Sequence, residues 1–423
     1  MTKTSPAGKG MPQRLRSVVP DGQARAFLRF FNLLSTRHIG EYSMFELRRV
    51  WRLMALALGR REPVRTVTDH EIPGPGGPIL LRVFNPGGDE DPRPALLWCY
   101  GGGFLVGSAD TADSICRQVA RAAGVVVVSA HYRLAPEHDL YAGREDVLVA
   151  LDWIAQHGAT IGIDTTRLAI GGDSAGGNIA AAVAQESVRR GHPPLKLQVL
   201  AYPATCIGRH YPSKDENATG YFLTAQNMDW MNRVIAASVD LEDQWISPGC
   251  TTDLHGMPPA LIVTAGFDPL RDDGLEYAAK LRNCGVPVEL LHYAGQFHGF
   301  LNFDSILSAG RDGLERIGGA LAAALHDVAA PDRTIEIAAR AAARRPLLGS
   351  FVRGVTTAAV MAWESVEQWA DTGLELAAPP LAKFIRPLLG PWLLPGAWVR
   401  DLLGRKLERL EARQTHPAGT SAG

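Results

Sequence analysis

Residues 168–182 read Leu-Ala-Ile-Gly-Gly-Asp-Ser-Ala-Gly-Gly-Asn-Ile-Ala-Ala-Ala. This stretch constrains the fold more than any other. It predicts a short apolar strand, a glycine-flanked serine and then an alanine-rich helix. Its centre, Gly172-Asp173-Ser174-Ala175-Gly176, fits G-x-S-x-G, a serine on a sharp strand-to-helix elbow. Strand and helix pass close together at such an elbow, so the residues two before and two after the serine must be small. The helix turns its free N–H groups toward the serine, where they favour a developing negative charge.

The rest of the chain alternates in the same way from about residue 64. Apolar runs predict strands at 64–71, 79–84, 95–100, 125–130, 168–171, 197–201, 260–264 and 288–292. Most are continuous rather than alternating, as expected for strands buried on both faces. Helical patterns fall at 111–123, 143–157, 175–190, 225–237, 270–284 and 305–329. The expectation is an α/β fold, a mostly parallel eight-stranded sheet wrapped by helices. The run Gly74-Pro75-Gly76-Gly77 predicts an antiparallel hairpin between the first two strands.

Outside this core the character changes. Residues 1–20 are polar and read as disordered, with no apolar run typical of a secretory leader. Residues 21–62 carry two helical patterns, one with Phe27, Phe30, Phe31 and Leu34, the other with Leu47, Val50, Trp51, Met54 and Leu58. They are rich in arginine, including Arg25, Arg29, Arg48, Arg49 and Arg52. Such helices suit a cap over a site, and also an anionic membrane surface. Residues 63–330 form the expected catalytic domain, with 203–250 as an aromatic, irregular contribution to the cap and pocket. A linker is expected at 329–331, then a C-terminal helical extension over 331–423, with helical segments at 335–343, 350–369 and 374–403 and a disordered end. Trp392 and Trp398, flanked by Arg386 and Arg400, suit either a membrane interface or packing on the domain or on a second copy in a homodimer. No apolar run reaches the length of a spanning helix.

With 46% hydrophobic residues the chain can build a large core, and a net charge of -1 argues against nucleic acid as a partner. Five scattered cysteines (Cys99, Cys116, Cys206, Cys250, Cys284) lack zinc spacing and predict free thiols, as in the cytoplasm, so no metal site is expected.

A serine hydroxyl needs a base, an acid to orient the base, and donors for an oxyanion. Following a G-x-S-x-G elbow, acid and histidine are expected in that order on loops after later strands. Asp268 lies just past the strand at 260–264, ahead of Pro269. Asp272 and Asp273 compete with it, but they fall in the first turn of the next helix, where acids favour the helix dipole. His298 lies beside Gly299 after the last strand, whereas His292 falls within that strand. The glycine triplet 101–103 ends the strand at 95–100. Its Gly102 and Gly103 N–H groups, with that of Ala175, are the expected oxyanion donors.

Taken together these residues resemble the hormone-sensitive-lipase-like branch of α/β-hydrolase serine esterases, over residues 95–303. Four blocks carry the likeness: Gly101-Gly102-Gly103-Phe104, the run 131–138 (His-Tyr-Arg-Leu-Ala-Pro-Glu-His), Gly172-Asp173-Ser174-Ala175-Gly176-Gly177-Asn178, and Asp268-Pro269-Leu270 with His298-Gly299-Phe300. The resemblance implies an α/β-hydrolase fold with a helical cap, no cofactor, and hydrolysis of carboxylic esters of short to medium acyl chain. It implies Ser174 as nucleophile, His298 as base and Asp268 as orienting acid, with 132–137 bracing the loop beside the site. One position departs. The family's histidine before the glycine triplet is Tyr100 here. A membrane-associated lipase acting on longer chains, and a non-catalytic small-molecule receptor on the same fold, are the competing readings.

Overall fold

Every residue of the strands β3 (Arg93–Cys99), β4 (Val126–Ala130) and β7 (Ala260–Phe267) is buried. Strands so uniformly buried have no solvated face to offer, and they form the middle of a sheet. Each fully buried valine or leucine contributes about 1.5–3 kcal/mol of hydrophobic stabilisation. A computed structural model of the protein describes residues 10–34, 38–88, 92–237 and 239–339. All of them belong to one compact unit, Thr4–Ala342.

The outer strands β1 (Thr66–Ile72) and β2 (Ile79–Asn85) pair antiparallel, as the glycine-rich turn between them requires, and β2 is antiparallel to β4. From β4 onward every pairing is parallel, through β3, β5 (Ile163–Asp173), β6 (Leu195–Ala201), β7 and β8 (Val288–Phe297). Helices α3 (Asp113–Ala123), α4 (Leu140–His157), α5 (Ala175–Arg190), α8 (Arg271–Asn283) and α9 (Ser308–Leu325) lie between the parallel strands or after them in the chain. The α5 limits match the expected ones, and the α4 start is set by Asp139, whose carboxylate accepts the Ala142 N–H at 2.9 Å.

The sheet has nine strands, in the order β1-β2-β4-β3-β5-β6-β7-β8-β9, where eight were expected. The ninth, β9 (Arg333–Ile337), pairs parallel with β8 from Glu289↔Arg333 to Tyr293↔Ile337. A helix had been expected from residue 335. The physical reason for the difference is local. Thr334-Ile335-Glu336-Ile337 alternates with period two and is β-branched at three of four positions, which suits a pleated edge better than a helix. Arg282 fixes it, donating to the Asp332 carboxylate at 2.9 Å and to the carbonyls of Val288 and Arg333. The helices expected at 350–369 and 374–403 lie outside the described residues.

The two N-terminal helices form as expected, α1 (Gly22–Leu34) and α2 (Met44–Leu58). In α1, Ala24, Phe27 and Leu28 are buried at i, i+3, i+4 spacing. Phe27 stacks on Phe297 at 5.3 Å between ring centroids and meets Phe303 at 4.7 Å. Helix α2 begins in a capping box, Ser43 with Glu46. It is held down by Arg48, which donates to Glu137 and to the carbonyls of Leu105 and Ala135. The stretch between β6 and β7 contains two short helices, α6 (Pro212–Glu216) and α7 (Ala225–Ile235). No described helix is long and apolar enough to cross a membrane.

Candidate active site

Strand β5 delivers the chain to Ser174, which stands at φ 57° and ψ −119° before α5 begins at Ala175. A positive φ at a non-glycine residue is strained, and here tertiary contacts hold it. The Ser174 N–H donates to the Ala201 carbonyl at 2.8 Å, and its carbonyl accepts from Asn178 N–H at 3.1 Å. The flanking glycines are required by close approach. A methyl at Gly172 would meet the Gly176 backbone at 2.4 Å, and one at Gly176 would meet the Cys99 carbonyl at 2.0 Å.

Parallel pairing sets β7 and β8 side by side, so their ends lie close together. Asp268 follows β7 directly and His298 follows β8 directly. Ser174 Oγ is 2.9 Å from His298 Nε2, and His298 Nδ1 is 2.9 Å from Asp268 Oδ2. Asp268 is fully buried, and its other oxygen accepts the Leu270 N–H at 2.7 Å. A proton on Nδ1, donated to the carboxylate, leaves the Nε2 lone pair facing the serine hydroxyl. That arrangement can take the hydroxyl proton and stabilise the resulting imidazolium.

The competing residues lie elsewhere. Asp272 accepts from Ser213 N–H and from Arg271. Asp273 accepts the Cys206 N–H at 3.0 Å. His292 is buried within β8 between Thr264 Oγ1 and the Leu15 carbonyl, and burial lowers it to about 4, so it stays neutral.

The loop after β3 reaches this place because Cys99 pairs with Gly172. The Gly101 N–H donates to Asp173 Oδ1 at 3.0 Å. Gly102 and Gly103 follow at φ 137° and 61°, values that side chains resist, and a Cβ at Gly102 would stand 2.2 Å from the Val106 carbonyl oxygen. Among the described residues no protein acceptor takes the N–H of Gly102, Gly103 or Ala175. Three donors are therefore uncommitted on the two elements that flank Ser174.

Tyr100 does not leave this loop unsupported. Its ring stacks on Tyr132 at 4.2 Å and 14°, its hydroxyl donates to the Tyr132 carbonyl at 3.2 Å, and the Tyr132 hydroxyl donates back to the Tyr100 carbonyl. Two reciprocal hydrogen bonds thus tie the loop to the 131–138 block. Burial raises the Tyr100 phenol above its ordinary range, so it remains a neutral donor.

Several participants had no local signal. Asp173 holds both Gly101 and the Asn302 amide, which also reaches the Tyr202 hydroxyl at 3.3 Å. Tyr202, at φ 36°, packs its ring edge-to-face with the His298 ring, 5.0 Å between centroids. Phe222 meets Phe31 at 4.9 Å and Phe303 at 5.1 Å, and it lies against Gly299, next to His298. Met231 of α7 lies against Gly103. The aromatic character of 203–250 was legible, but not which aromatic would arrive here.

Asp273 yields a prediction on stability. Burial raises its carboxyl to about 8, Asp268 and Glu276 add to the rise, and Lys214 and the Cys206 N–H oppose it. In an unfolded chain an aspartate titrates near 3.9. Between about pH 4 and pH 8 the native state holds a proton that the unfolded state lacks, so this group's contribution to stability falls as pH rises through that window. Asp273→Asn keeps the acceptor for Cys206 and removes the titration. Its unfolding free energy, measured in urea, should gain on the parent by up to about 1.4 kcal/mol per pH unit across the window. An offset independent of pH would show that Asp273 is already ionised in the native state.

The comparisons agree with this architecture. A family model described as the alpha/beta hydrolase fold matches residues 96–302. The chain is 41% identical to Esterase LipI of Mycobacterium tuberculosis, over 63% of this chain and 85% of that protein. It is 35% identical to the ethyl acetate hydrolase of Pseudomonas putida, over 63% of this chain and 86% of that protein. The solved structure of a hyperthermophilic esterase from Pyrobaculum calidifontis superposes with a TM-score of 0.69 at 37% identity, covering 74% of this chain and 100% of that one. With nine mostly parallel strands, a serine elbow after β5 and these relatives, the chain belongs to the hormone-sensitive-lipase-like family of α/β hydrolases and is a carboxylic ester hydrolase.

Proposed function

We propose that the chain is a serine carboxylesterase working through an acyl-enzyme, with esters of short to medium acyl chain as substrates. The observation that carries this reading is the continuous relay from Ser174 Oγ through His298 to Asp268, 2.9 Å at each step. His298 Nε2 takes the hydroxyl proton as Ser174 Oγ attacks the ester carbonyl. The N–H groups of Gly102, Gly103 and Ala175 stabilise the oxyanion. The tetrahedral adduct collapses, the alkoxide leaves with the proton from His298, and the acyl group stays on Ser174. A water molecule then gives its proton to His298 and attacks the acyl carbon, and collapse returns the proton to Ser174 and releases the acid.

The helices α1 and α2, with 203–250, act as the cap in this reading. Phe222 beside Gly299 and Met231 against Gly103 support a pocket crowded near the reacting carbonyl, which favours short acyl groups. The relative named for ethyl acetate hydrolysis supports the same range. The test is hydrolysis of p-nitrophenyl esters from acetate to palmitate. The expected profile peaks at short to medium chains. A peak at palmitate would overturn the acyl range while leaving the esterase chemistry in place.

One observation favours a second reading, contact with a lipid surface. Leu33 on α1 and Phe45 on α2 are each 74% exposed, and Val50 on α2 is 49% exposed, next to Arg49. Apolar side chains beside arginines suit an anionic interface. If the reading holds, the protein floats with phosphatidylglycerol vesicles, and Leu33→Ser with Phe45→Ser reduces the floated fraction severalfold. No flotation of the parent chain removes it.

A further inference from the structure

The chain leaves the sheet after Ala201 and returns to it at Ala260. The excursion crosses itself at its base. Gly249 N–H donates to the Thr205 carbonyl at 2.8 Å, and Ile207 N–H donates to Ser247 Oγ at 3.0 Å. At the same crossing Cys206 Sγ lies 3.1 Å from Cys250 Sγ. A disulfide is about 2.05 Å long, so the two sulfurs need to close by about 1 Å. Cys206 is anchored, 2% exposed, with its N–H on the Asp273 carboxylate. Cys250 is half-buried, so a small reagent can reach one member of the pair. Cys99 and Cys116 are buried, and Cys284 Sγ accepts the Leu254 N–H at 3.4 Å.

What the pair encloses gives it a consequence. Between the two cysteines run α6 and α7, with Phe222 against Gly299, Trp230 against Gly40 and Met231 against Gly103. Hydrogen bonds and one thiol contact hold the base of this loop, and a covalent bond there would restrain the whole of it.

We propose that Cys206 and Cys250 are a reversible redox staple, oxidised by low-molecular-weight disulfides to a bond that clamps the base of the 207–249 loop over the site. The Cys250 thiolate attacks one sulfur of the small disulfide, whose S–S bond breaks and releases one small thiol. The Cys206 thiolate then attacks the Cys250 sulfur of the mixed disulfide and releases the second. The two cysteines give up two electrons and two protons, and the reagent gains both as two thiols. Burial and the neighbouring Cys206 raise the Cys250 thiol to about 12, against the pull of Lys280 and Arg209, so little of it is thiolate at neutral pH and the exchange quickens as pH rises.

The test uses the full chain equilibrated with oxidised glutathione or with dithiothreitol, then mapped by peptide mass without reduction. The expected result is a Cys206–Cys250 link in the oxidised sample that dithiothreitol removes. The unfolding midpoint should rise by on the order of 5 °C with oxidation, and amide exchange over 207–249 should slow. Cys250→Ser should lose the link and both responses, whereas Cys284→Ser should keep them. The oxidised and reduced parent chains differ by no substitution, so the comparison holds even if a variant folds poorly. Two results overturn the proposal: five free thiols after equilibration with oxidised glutathione, or a link that forms and leaves both midpoint and exchange unchanged.

Discussion

Ser174→Ala should abolish ester hydrolysis, with kcat falling on the order of 10^5-fold and the residue left over coming from binding and the oxyanion donors alone. The size follows from what the hydroxyl does. It is the only protein atom in the proposed cycle that forms a bond to the acyl carbon, and no other hydroxyl bonds His298 Nε2 among the described residues. The fold should not change. Serine and alanine bear the same strain at φ 57°, and the hydrogen bonds that hold the elbow are made by the Ser174 backbone, not its side chain. Circular dichroism and the unfolding midpoint should therefore match the parent while p-nitrophenyl acetate turnover disappears. A variant within tenfold of the parent would show that the hydrolysis does not run through an acyl-serine at this elbow.

Asp268→Asn should lower kcat about 10^4-fold while leaving the protein folded. The substitution separates two duties of one side chain. Oδ1 accepts the Leu270 N–H at 2.7 Å and shapes the start of α8, a duty an asparagine oxygen can keep. Oδ2 accepts from His298 Nδ1 at 2.9 Å, a duty an amide NH2 cannot perform. Facing a donor, the imidazole places its proton on Nε2, where it can no longer accept from Ser174, and the imidazolium loses its nearest counter-charge. A purely structural role for Asp268 would move the unfolding midpoint and spare kcat, the reverse of this expectation. Activity retained in Asp268→Asn but lost in Asp272→Asn would transfer the orienting role to the neighbouring acid.

Short-range features were legible because short-range physics sets them. The elbow at 172–176 can be recognised from five residues, since the close approach of Gly172 and Gly176 is a property of the turn itself. The buried strands announced themselves as apolar runs, and the start of α5 followed from the elbow; in the structure its end is marked by Gly191 at φ 70°. Asp268 and His298 could be chosen because each directly follows a strand, and adjacent parallel strands bring their ends together. The same rule failed at β9. The four alternating residues 334–337 are easily masked by the alanine-rich stretch beyond them, and the Glu289↔Arg333 pairing and the hold of Arg282 reinforce their local strand preference.

What the sequence determined by itself was the parallel α/β sheet, the strained serine and the order in which Asp268 and His298 follow it. Tertiary structure alone decided which groups support that serine. Asp173 meets Gly101 across 72 residues, Tyr100 and Tyr132 exchange hydrogen bonds across 32, and Cys206 meets Cys250 across 44. The physical reason is range. Strand burial, turn strain and helix caps act between residues a few positions apart, so periodicity and glycine placement record them. A hydrogen bond or a sulfur contact acts over about 3 Å in space and is indifferent to sequence separation, so only the folded chain identifies its partner.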